Sequence, residues 1–104
     1  MENKILPLGS VVTLKGGDDT ELMIISRGST IEELDNHNGK RMVYYDYGSV
    51  VIPNGMQSPD TVFFFNRENV KSVLFEGYRN DAEVHFTNHY DSWVQASTVP
   101  KGKI

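Results

Sequence analysis

His85 and His89 stand four apart in "DAEVHFTNHYDSW", so on a helix both imidazoles share one face, the spacing with which a zinc metallopeptidase grips its ion. Such an enzyme also needs a glutamate directly after the first histidine as general base, and here that position is Phe86, so the metallopeptidase reading fails. A different metal centre would need a third ligand, which Asp81 or Asp91 could offer. With three histidines and no cysteine in the chain, two surface histidines are the expectation. Carboxylate pairs occur at Asp18/Asp19 and Glu32/Glu33. Acid–base work requires environments that split the two pKa values. Both pairs fall in stretches that read as solvated loops, so they are expected to be solubilising charge. "GGDDT" at Gly16–Thr20 lacks phosphate-loop spacing, and its acidic pair repels phosphate. No serine sits in a nucleophile elbow. These residues point to a protein without catalytic groups, metal or cofactor, and not to an enzyme.

The chain that must position them has 104 residues, which suits a single domain over 1–104 with an ordered core at about 6–97. Hydrophobic residues at 38% against charged residues at 23% place it among globular rather than disordered chains. A formal net charge of -4 argues against a general nucleic-acid binder, because phosphate binding needs a basic surface. Without cysteine there is no disulfide and no thiolate chemistry, which fits a reducing compartment. "MENKILPLGS" lacks the apolar run of a signal peptide, and no stretch approaches the roughly 20 apolar residues of a membrane span. A cytoplasmic location is expected, with no membrane contact.

Local patterns predict mostly strands. "GSVVTLKGGDDTELMIISRG" reads as a β-hairpin turned by Gly16 to Asp19, with a second strand apolar on both faces and therefore central in its sheet. Ser29 to Lys40 is polar and rich in turn formers, and predicts a loop with one helical turn that Glu33 helps to cap. "RMVYYDYGSVVIPNG" returns to strand, with a bend near Gly48 and a turn at Pro53–Gly55. "VFFF" is too short for a helix and reads as a strand with at least two of its three phenylalanines in the core. Asn66 caps a single helical turn, and "SVLFEGY" is a further strand. Asn80 to Ser97 fits either a strand or a helix. The helix accounts for more residues, with Ala82, Phe86, Tyr90, Trp93 and Val94 on one stripe and Asn80 with Glu83 as its capping pair. "VPKGKI" is expected to fray. The expected fold is α+β: a small bent antiparallel β-sheet, or an open SH3-like barrel, with a C-terminal helix packed on it. Five tyrosines in so short a chain direct attention to surfaces, since tyrosine joins a large apolar body to a hydroxyl. The candidate protein-binding surface comprises Tyr44, Tyr45, Tyr47, Phe64 and Trp93, with the Ser29–Lys40 loop second.

Four blocks, "LPLGSVVTLKGG", "LMIISRG", "YDYGSVVIPNG" and "FFFNRENVKSVLFEGY", resemble in order and spacing a family of small Gram-positive bacterial proteins, the domain of unknown function numbered 4176. The resemblance covers about Leu6 to Tyr78 and is strongest at Leu6–Val12, Tyr45–Tyr47 and Phe75–Tyr78. A glutamate-rich helix tends to follow in the family, whereas Asn80–Ser97 is less charged here. The resemblance implies an accessory of a type VII secretion system, an adaptor or chaperone that holds a secreted toxin. The alternatives are an immunity protein against a neighbouring toxin, or an uncharacterised small binding domain. It brings no catalytic residues.

Overall fold

The computed structural model describes residues 4–35 and 39–104. Five strands, β1 (Val11–Leu14), β2 (Leu22–Asp35), β3 (Gly39–Val51), β4 (Phe63–Phe65) and β5 (Val70–Phe75), are followed by one α-helix, α1 (Asp81–Ala96). Every pairing is antiparallel and the order is β4-β3-β2-β1-β5, so the sheet is open and β2 is central, as its two apolar faces require. The fold is α+β. Of the two expected forms it takes the bent open sheet and not the barrel.

The long strands β2 and β3 pair from Leu22↔Val51 to Asp35↔Gly39. This corrects the expected loop at Ser29–Lys40. Residues 36–38 of that stretch lie outside the described residues. The arms are strand because cross-strand partners stabilise them: Ile31 faces Val43, Glu33 meets Arg41 at 3.3 Å and Glu32 meets Lys40 at 3.4 Å. Glu33 thus pairs across strands and caps no helix. The bend expected near Gly48 appears as a register shift between Ile24 and Ser26, opposite Ser49 and Gly48. A Cβ on Gly48 would collide with the Ser26 hydroxyl and lie 3.1 Å from the Phe64 ring, so the close approach at the bend demands glycine.

The core gathers Ile5, Val12, Leu22, Ile24, Tyr47, Phe65 and Tyr90. Only Phe65 of the phenylalanine triplet is fully inside. Phe64 is half-buried, and Phe63 is 44% exposed. The expectation of two core rings therefore overreached: β4 is a three-residue edge strand, and an edge strand has a neighbour on one side only.

The helix reading of Asn80–Ser97 holds, and the Asn80 side chain accepts the Glu83 N–H at 2.8 Å as the cap. Its inner face differs from the predicted stripe. Ala82 is exposed and Trp93 is 47% exposed, while the polar Glu83 and Thr87 turn inward beside Phe86, Tyr90 and Val94. They can do so because arginines meet them. Arg27 Nη1 and Arg79 Nη1 each reach Glu83 at 2.7 Å, and the Thr87 hydroxyl donates to Glu83 at 2.6 Å. The C-terminal segment also departs from its expectation of fraying. Tyr44 N–H donates to Pro100 O at 2.9 Å and Gly102 N–H donates to Tyr44 O at 2.8 Å, so the segment continues the sheet on the side of β3 where β4 has ended.

Candidate protein-binding surface

Two networks fix the helix and the C-terminal segment on the sheet. Asp46 on β3 is fully buried. Its Oδ1 accepts from the Tyr90 hydroxyl at 2.9 Å; Oδ2 accepts from the Arg67 amide at 2.9 Å and from Lys101 Nζ at 3.0 Å. Burial alone would raise the Asp46 carboxyl, but the Arg67 amide, Lys101 and Tyr90 outweigh it and hold it below its ordinary value. Burial and the neighbouring Asp46 charge push the Tyr90 phenol far up, so it stays a donor. Asn66 completes the network, accepting the Asp46 N–H at 3.0 Å and donating to Gly102 O at 2.8 Å. In the second network burial opposes the charge of Glu83, yet Thr87, Arg79 and Arg27 hold its carboxyl below the usual range. Both carboxylates are saturated with protein donors, an arrangement suited to holding elements together.

The expected site residues divide between these layers. Tyr45 and Tyr47 are 5% and 1% exposed, so they belong to the interior and do not form a contact surface. Tyr45 packs on Phe64 at 5.8 Å and donates to Lys103 O at 3.1 Å. Tyr47 accepts the Leu6 N–H at 2.9 Å, and burial pushes its phenol up to about 12. In "YYDY" strand alternation predicts one face in and one out, but β3 is buried continuously from Tyr45 to Val50 because the sheet bends and the C-terminal segment covers it. Tyr44 and Trp93 are brought together. They line a cavity of about 270 Å³ between α1 and β2–β3, with Phe86, Tyr90 and Arg27. Arg27 and Phe86 also border a second cavity of about 390 Å³, which opens toward Leu8 and Tyr78. His85 and His89 lie on the exposed side of α1, and the His89 ring lies 5.9 Å from the Trp93 ring. No group of three or more metal-ligating side chains occurs among the described residues.

A further surface was not singled out from the sequence. β5 is an edge strand that pairs with β1, and Val73, Leu74 and Phe75 are 47%, 53% and 62% exposed. Tyr78, 80% exposed, follows, and Leu8 lies beside it in the same cavity wall. The chain passes so close to Leu8 here that a Cβ on Gly77 would collide with the Leu8 carbonyl. Natural sheets blunt their edges with charge, proline or covering segments. This edge instead presents apolar groups at consecutive positions. The signal was present in "SVLFEGY", a strand apolar on both faces, but only its place at the sheet edge separates a docking strand from a core strand.

No helix among the described residues is long and apolar enough to cross a membrane. A family model described as Domain of unknown function (DUF4176) matches residues 5–86. No curated protein matches the chain, and no solved structure does.

Proposed function

The chain belongs to the DUF4176 family, and on that premise we propose that it is a non-enzymatic binding protein, a cytoplasmic accessory of a Gram-positive type VII secretion system that holds a secreted toxin as adaptor or chaperone. The secretion context comes from the family resemblance. The observation that carries the binding role is the free apolar edge of β5 with Tyr78 and Leu8 beside it. An extended segment of a partner can add to such an edge, with main-chain hydrogen bonds supplying affinity and side-chain contacts supplying selectivity. Exposed contiguous apolar groups of this kind mark interaction surfaces. The saturation of Asp46 and Glu83 by protein donors supports a structural use for the buried charges.

The experiment is co-purification of the tagged protein with each protein encoded beside it, followed by mass determination of the complex. A stoichiometric complex with the targeting region of a toxin is the expected result. A complex with the toxic domain alone, together with rescue of cells that express that domain, would replace the adaptor with an immunity protein, a role that the acidic net charge of -4 suits when the toxin is a basic nuclease. Elution of the protein alone would overturn both.

A further inference from the structure

The C-terminal segment sits in a groove built by β3 and the residues that follow β4. Tyr44 N–H donates to Pro100 O at 2.9 Å and Gly102 N–H donates to Tyr44 O at 2.8 Å, the main-chain pattern of an extended peptide added to a strand edge. Two positions read side chains. Lys101 Nζ meets Asp46 Oδ2 at 3.0 Å and Glu68 Oε1 at 2.9 Å. Gly102 is buried, and a Cβ there would collide with the Tyr45 ring, which packs against Phe64 and has little room to yield. Asn66 Nδ2 donates to Gly102 O at 2.8 Å. The groove therefore selects an extended segment in which glycine follows lysine.

The groove keeps its own bonds when the segment leaves. Without Lys101, Asp46 retains the Tyr90 hydroxyl, the Arg67 amide and Arg67 Nε. Without Lys103 O, the Tyr45 hydroxyl retains Glu33 at 3.3 Å. The groups left open, Tyr44 N–H and O with Asn66 Nδ2, are those that the main chain of another peptide would take up. Among the described residues Val94 is the last along the chain to pack on the hydrophobic core, and Ile104 is 60% exposed, so little apolar burial holds the segment in place. The groove residues Tyr44, Tyr45, Asp46, Asn66 and Glu68 all lie within the family match at 5–86, whereas the segment lies beyond it. We propose that this groove is a peptide-binding site of the domain, closed in cis by the C-terminal segment and opened when an extended Lys-Gly segment of a partner protein displaces it. The site does not rest on the secretion reading, and it lies at the opposite side of the sheet order from the β5 edge.

The probe is a fluorescein-labelled peptide of residues 97–104, "STVPKGKI", followed by anisotropy. In the full chain the cis segment competes at an effective concentration on the order of millimolar or higher, so the wild type should bind the peptide weakly. Gly102→Ala sets a Cβ against the Tyr45 ring, loosens the cis contact and opens the groove. Folded Gly102→Ala is expected to bind the peptide with a dissociation constant below about 1 mM, at least roughly tenfold more tightly than the wild type does. Peptides that carry Lys101→Met or Gly102→Ala should bind it at least roughly tenfold more weakly. No saturable binding, or equal binding of the three peptides, would overturn the proposal. Hydrogen exchange of the wild-type protein gives a test that needs no variant. The Gly102 amide should exchange at least roughly a hundredfold faster than the paired amides of β2 and β3, because the segment opens without global unfolding. Equal protection would overturn the proposal as well. Wild-type dimers that grow with concentration and vanish in Gly102→Ala would assign the groove to the C-terminus of a second copy and overturn the partner protein as its occupant.

Discussion

Replacing Asp46 by asparagine tests the reasoning about the buried network most directly. The wild-type carboxylate is fully buried and takes donors on both oxygens: Tyr90 on Oδ1, and the Arg67 amide, Arg67 Nε and Lys101 on Oδ2. Asparagine keeps the shape but offers one acceptor and no charge. Breaking a buried pair costs about 3–5 kcal/mol when a charge is left without compensation. Here the cations retain outer partners, Arg67 with Asp91 at 2.7 Å and Lys101 with Glu68 at 2.9 Å, so the low end applies. The expected loss is about 3 kcal/mol, a large share of the roughly 5–15 kcal/mol that holds a domain folded. It lowers the melting temperature by roughly 12–24 °C at this chain length. The pH dependence fixes the sign. The folded carboxyl is held below its ordinary value, so its stabilisation is fully present above the unfolded pKa near ~4 and is lost as pH falls through the folded value. Thermal unfolding followed by circular dichroism should show a constant gap between wild type and Asp46→Asn from neutral pH down to about pH 5, closing below about pH 4. A loss under about 1 kcal/mol at neutral pH, or a gap that persists undiminished in strong acid, would refute the argument.

Lys101→Met removes one donor from Asp46 and the tie to Glu68, and should cost about 1–2 kcal/mol in urea unfolding, showing that the C-terminal segment is part of the fold. Gly48→Ala forces a Cβ against the Ser26 hydroxyl and the Phe64 ring and should destabilise by about 1–3 kcal/mol in the same assay. The double substitution Leu74→Ser and Phe75→Ser, at exposed positions of the β5 edge, should leave the melting temperature within a few degrees of wild type while weakening capture of the co-purified partner at least tenfold; unchanged capture would remove the edge from the binding surface.

Much of the fold was legible in the residues because it rests on local rules. Alternation located the strands, the Gly16–Asp19 turn joined the first two, an apolar second strand announced a central position, and Asn80 with Glu83 marked where the helix begins. The family membership is likewise a property of the linear order. The local rules failed where a partner distant in sequence reversed the preference. Ser29 to Asp35 became strand because β3 lies opposite it; Glu83 turned inward because Arg27, from β2, was there to meet it. For the site the division is sharper. The sequence marked Tyr44, Tyr45, Tyr47, Phe64 and Trp93 as one class of residue, aromatic and able to contact a partner. Only the tertiary structure placed Tyr45 and Tyr47 under the C-terminal segment and the bend, set Tyr44 and Trp93 around Arg27, and left Phe75 and Tyr78 outside. The physical reason is that composition states how much apolar surface a chain carries, whereas burial depends on which surfaces remain after long-range pairing is complete. β5 and β2 both read as apolar strands, and their position in the sheet order alone makes one a core strand and the other an open edge.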